Sequence, residues 1–159
     1  MPNHCYQSVW IKGPRAVVRH LFDQLTQHDR FCDVVVPMSL EPWLVEDSFD
    51  EHGWYGWRHK HWGTKWDVCE TNICEPYADC ATDEGHGSFS FNCWTAWSPP
   101  IPVWERLVAL GCEVHTDYED EGGMFEGTWV NGDDQCWEPQ FEEDEDGSLI
   151  KLEREVSHA

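Results

Sequence analysis

Apolar and polar positions alternate in three stretches of this chain, and two stretches between them change to helical spacing. Residues 4–12, HCYQSVWIK, put Cys5, Gln7, Val9 and Ile11 on one side and Tyr6, Ser8 and Trp10 on the other, which predicts a strand. Gly13–Pro14 ends it and opens a helix over 15–27, with Val17, Val18, Leu21, Phe22 and Leu25 on one stripe. Phe31–Val36 is short, apolar and rich in valine, so it predicts a second strand, stopped by Pro37. Pro42 predicts a short helical start carrying Trp43, Leu44 and Val45.

After an aromatic stretch, 68–75 reads as a strand and Pro76–Gly87 as a long turn. Residues 88–97 alternate again, with Phe89, Phe91, Cys93 and Trp97 opposite Ser88, Ser90 and Asn92, completing a hairpin. Ser98–Pro99–Pro100 introduces a helix striped by Ile101, Val103, Trp104, Leu107, Val108 and Leu110, with Gly111 as its stop. Cys112–Glu121 is the third alternating strand, with Val114, Thr116 and Tyr118 facing away from Glu113, His115, Asp117, Glu119 and Glu121. Gly122–Gly123 turns the chain, Met124–Val130 returns, and Asn131–Gly132 turns it again. Leu149–Val156 closes the chain as a strand or helix. Strands and helices mix without regular alternation, which predicts an α+β class and a β-α-β-β-α-β layout with additions.

Charge changes this picture. The 159 residues carry ten Lys and Arg against thirty-one Asp and Glu, a net charge of −21, and two-thirds of that excess falls in residues 113–159. Such a field repels nucleic acid and attracts basic surfaces, which argues against direct grip on a DNA or RNA backbone. Hydrophobic content of 40% with eleven Trp supports a real core rather than disorder. No stretch reaches the roughly 18 apolar residues of a membrane span. The opening MPNHCYQSVWIKG has no basic-then-apolar leader pattern, so a cytoplasmic location with the eight cysteines reduced is expected.

Two stretches are candidates for contact with a partner. Glu113, His115, Asp117, Glu119 and Glu121 repeat about 6.6–6.8 Å apart along one face. Duplex DNA carries one charge per roughly 1.7 Å of axis, so one strand alone is too sparse to imitate it. Additional acids must fill in the pattern. The candidate partner-binding set is therefore Glu113, Asp117, Glu119, Asp120, Glu121, Glu126, Asp133, Asp134, Glu142, Glu143, Asp144, Glu145 and Asp146. The plainer reading of 142–147 alone is a solvated tail. The second stretch, Trp54–Asp67, interleaves aromatic and basic residues. It reads either as a packed knot or as an aromatic platform of Trp54, Tyr55, Trp57, Trp62 and Trp66.

Catalytic and metal chemistry find little support. Cys69, Cys74 and Cys80, with His59, His61, His86 and Cys93 nearby in sequence, are of the right types for zinc, but no C-x2-C pair occurs. Cys69 with His59 or His61 lacks any nucleophile context. No phosphate loop and no twelve-residue calcium loop is present. No catalytic residue, cofactor or metal is assigned, and the chain is expected not to be an enzyme.

The pieces NHCYQSVWIKGP (3–14), WGTKWD (62–67), FNCWTAWSPPIPVWERL (91–107) and EGGMFEG (121–127) resemble the YubB-type ferredoxin-like domain family of phage and plasmid accessory proteins. The resemblance implies a ferredoxin-like antiparallel sheet with two main helices over 1–132. An aromatic-rich insertion at 38–66 and an acidic C-terminal extension at 133–159 are additions to it. It supplies no catalytic residues. Together with the charge, it leads to the expectation of a mobile-element protein that blocks a basic nucleic-acid-binding host defence protein by mimicking DNA. The alternative is a structural or zinc-stabilised module without mimicry. Monomer and homodimer both stay open.

Overall fold

A computed structural model describes residues 3–153. Strand β1 (His4–Pro14) buries every second residue, Cys5, Gln7, Val9 and Ile11, as its alternation requires. Helix α1 (Arg15–His28) buries Val18, Leu21 and Leu25, and Asp29 ends it in a left-handed conformation at φ 50°. A short helix α2 (Cys32–Val35), a 3-10 turn (Glu41–Leu44) and helix α3 (Trp54–His61) follow. Strands β2 (Cys69–Asp79) and β3 (His86–Ala96) form a hairpin, and helix α4 (Ile101–Ala109) buries Val103, Trp104 and Leu107. Strands β4 (Glu113–Asp120), β5 (Glu126–Val130) and β6 (Asp133–Trp137) run as a meander, and β7 (Phe141–Glu143) pairs with β8 (Leu149–Lys151) in a separate hairpin.

The class is α+β: among the described residues, a six-stranded sheet ordered β2-β3-β1-β4-β5-β6, antiparallel at each pairing, stands with four helices. This longer order is not that of a four-stranded ferredoxin-like sheet. Helix α1 packs on β1, β3 and β2, and α4 on β4. The core lies between helices and sheet, with Trp104 against Trp129 at 5.7 Å and Phe31 against Phe91 at 5.3 Å. Among the described residues the opposite face of the sheet carries no helix, and the sheet fixes what that face presents.

Several expectations are corrected. Phe31–Val36 is not a strand. The Asp67 carboxylate accepts hydrogen bonds from the backbone N–H groups of Phe31, Cys32 and Asp33, which nucleates a helical turn despite three valines. Pro76–Asp79 is strand rather than turn, because β2 is an edge strand whose register shifts three times against β3. Trp97 does not share the buried face of β3. Its φ of 66° ends the strand, and it is 41% exposed. Asp133–Trp137 pairs with β5, so the main sheet continues past residue 132. Of the expected last element, 149–151 is a strand and residues 154–156 lie outside the described residues.

Candidate functional site

Pairing register places side chains in rows across the helix-free face. One row runs Trp94, Tyr6, Glu119, Glu126, Trp137, from β3 through β1, β4 and β5 to β6. The next runs Asn92, Ser8, Asp117, Thr128, Gln135, with the Ser8 hydroxyl donating to Asn92 at 3.0 Å. The third runs Ser90, Trp10, His115, Val130, Asp133. The first two rows line a groove of about 480 Å³, which adjoins a second of about 510 Å³ over Trp10 and His115. The face is thus mixed in chemistry, with aromatic rings beside carboxylates.

Aromatic rings bound the first row at both ends. Tyr6 and Trp94 meet edge-to-face at 4.8 Å. At the far end the Trp137 indole N–H donates to Glu126 at 2.7 Å and holds that carboxylate in place. Glu119 stands directly opposite Glu126 in the ladder, an arrangement in which like charges repel. Lys151 of β8 reaches back over this pair, bonding Glu126 and lying 3.7 Å from Glu119. The hydrogen bond from Lys151 to Glu126 is the main reason its ammonium stays charged above the usual lysine range. The Phe141 ring of the same hairpin lies beside Gly123 in the β4–β5 turn.

The expected acids are divided by this geometry. Glu113, Asp117, Glu119, Glu126 and Asp133 share the open face. Asp120 points the other way, is buried, and accepts from the Met124 N–H at 3.0 Å to brace the turn. Glu121 accepts from the His4 N–H at 2.8 Å. Asp134 lies on the helix side and accepts from the Tyr118 hydroxyl at 2.6 Å. Burial, and then the hydrogen bond to Asp134, push the Tyr118 hydroxyl well above its usual range. Glu142, Glu143, Asp144, Glu145 and Asp146 sit in the β7–β8 hairpin, where Asp144 caps the turn through the N–H groups of Asp146 and Ser148.

The aromatic stretch forms a packed knot. Trp62 is 1% exposed and donates its indole N–H to the Val36 carbonyl at 2.8 Å, so it belongs to the core and not to a platform. The Arg58 guanidinium lies over Trp43, Trp54 and Trp62 at 5.3, 5.5 and 4.7 Å, and burial lowers its basicity. Trp43 and Trp54 stack at 5.4 Å. Tyr55, Trp57 and Trp66 are half-buried, each against a neighbouring ring. The insertion is tied to the end of β3: Thr64 exchanges hydrogen bonds with the Ala96 backbone, and Ser98 donates to the Gly63 carbonyl. The pieces WGTKWD and TAWSPP therefore meet in space, and their shared chemistry holds the fold.

The cysteines and histidines do not assemble. Among the described residues no three His, Cys, Asp or Glu side chains gather as a metal donor set, so Cys69, Cys74, Cys80 and their neighbouring histidines do not form the zinc site of the alternative reading. Burial pushes the Cys69 thiol up, the opposite of an activated nucleophile.

Sequence reasoning missed Tyr6, Trp10, Trp94, Trp137 and Lys151 as parts of this surface. The available signal was large aromatic residues on the polar phase of alternating strands. Among the described residues, no helix is long and apolar enough to cross a membrane. Comparisons with protein-family models, curated proteins and solved structures find no match, so the resemblance rests on the quoted residues alone.

Proposed function

We propose that this chain is a non-enzymatic accessory protein of a phage or plasmid that binds a basic, nucleic-acid-binding host defence protein through its helix-free sheet face and competes there with nucleic acid. The observation that carries the reading is the in-register placement of Glu113, Asp117, Glu119, Glu126 and Asp133 on one face. Strand geometry sets Asp117 and Glu119 about 6.6–6.8 Å apart along β4 and Glu119 and Glu126 about 4.8 Å apart across the ladder, with Glu113 beyond His115 on β4 and Asp133 in the Trp10–His115 row, a two-dimensional arrangement rather than a flexible tail. A sheet backed by a packed core holds that array without further ordering on binding, which favours affinity. The first four strands, in the partial order β2-β3-β1-β4 with α1 and α4 on one side, are consistent with a ferredoxin-like ancestor to which β5 and β6 were added.

The test uses the immobilised full chain challenged with host extract at low salt. Retained basic nucleic-acid-binding proteins are expected to elute with duplex DNA, and their affinity to fall about tenfold or more between 50 and 200 mM salt. A variant with E113Q, D117N, E119Q and D133N is expected to retain none. Retention indifferent to duplex, salt and these substitutions would end the proposal.

A further inference from the structure

Like charges placed directly opposite each other in an antiparallel ladder destabilise it, yet Glu119 and Glu126 are so placed, beside Tyr6 and braced by Trp137. A cation already occupies the spot. Lys151 bridges both carboxylates, although it arrives from a hairpin that pairs with itself and not with the main sheet. That hairpin carries Glu142–Asp146, so its own field opposes that of the face on which it lies. Lys151 is thus a cationic stitch on a segment that charge would otherwise push away.

The surroundings of the pair suit a guanidinium better than an ammonium. A groove of about 480 Å³ opens beside the carboxylates, bounded by Trp94 and Tyr6 on one side and Trp137 on the other. Arginine forks to two carboxylate oxygens and stacks on aromatic faces, whereas lysine offers a hydrated point charge. We infer that the groove over Glu119 and Glu126 is a subsite for an arginine side chain of the basic partner, and that Lys151 holds these two carboxylates from beside the open groove until the partner displaces it. The inference rests on the proposed function and names the chemistry of its contact. The β7–β8 hairpin then acts as a strap. Its closed population weakens partner binding by the fraction of molecules in which Lys151 holds the two carboxylates.

The experiment titrates the full chain with a blocked hexa-arginine peptide and, in parallel, a hexa-lysine peptide, by calorimetry and by the tryptophan indole N–H signals in NMR. K151M is expected to bind hexa-arginine about threefold or more tighter than wild type, the gain reporting the open fraction. K151R, which keeps a cation on the two carboxylates, is expected to show no gain. E119Q is expected to lose most peptide affinity with a melt no lower than wild type, which carries the test even where K151M loosens the hairpin. The Trp94 and Trp137 indole signals are expected to shift with hexa-arginine and not with hexa-lysine. K151M no tighter than K151R, or equal binding of both peptides without indole shifts, would overturn the subsite. Duplex-competed retention that survives such a result leaves the proposed function standing. Peptide binding as expected, with no DNA-competed retention, would sink that function instead.

Discussion

Gly127 shows how a single missing methyl shapes the sheet. A Cβ there would lie 2.4 Å from the Tyr118 hydroxyl oxygen and 2.6 Å from the Gln135 carbonyl oxygen, because the Tyr118 ring crosses this position to reach Asp134. Gly127→Ala is expected to cost about 1–3 kcal/mol, the range for overpacking, and Tyr118→Phe about 1 kcal/mol for its hydrogen bond, both read by urea unfolding. The buried thiols set an alkaline limit. Burial raises Cys5 from 9.0 to about 12 and Cys112 from 9.0 to about 11. The unfolded chain releases these protons near pH 9 while the folded chain keeps them, so stability is full below pH 9 and declines as pH rises toward 11–12. Each such thiol contributes up to about 1.4 kcal/mol per pH unit in that window. Melts are expected to hold steady to about pH 8.5 and fall beyond it, less steeply in Cys5→Ala.

At the scale of elements, what could be read in advance depended on whether the deciding contact was local. β1, β3, β4, α1 and α4 were legible because each buries one periodic face against the core, so period and burial agree. FCDVVV was not, because its helical turn is imposed by Asp67, more than thirty positions away. β6 was hidden by its acids, which stay exposed on both faces of an edge strand and so erase the alternation. The acidic face of β4 was legible as a pattern. Its groove was not, because Tyr6, Trp94 and Trp137 come from three other strands joined only by register, and Lys151 reaches its edge from a separate hairpin through ion pairs. The insertion makes its own prediction. Trp62 anchors it from within the core, so Trp62→Ala is expected to cost about 3–5 kcal/mol and to broaden the NMR signals of residues 38–66 first. Asp67→Ala, which strips α2 of its cap, is expected to cost at least about 2 kcal/mol in urea unfolding.

Across the whole molecule, a charge of −21 on a small body costs stability through self-repulsion, while Lys151 relieves only one locus of it. Added sodium chloride is therefore expected to raise the melting temperature between about 10 and 300 mM, as screening shortens the range of that repulsion. A flat response would mean the acids are spaced widely enough not to sense one another. Among the described residues, the end strands of the sheet, β2 and β6, each pair with one neighbour only. β2 is broken by register shifts and carries Pro76, whereas β6 presents Asp133 and Asp134. Ionised aspartates at such a margin keep a neighbouring molecule's backbone from docking onto its free amides and carbonyls. That protection lies in the charge itself. Asp133→Asn with Asp134→Asn is expected to leave the β6 margin as a template on which further copies can add, and to give slow fibrils binding thioflavin where the unsubstituted chain gives none.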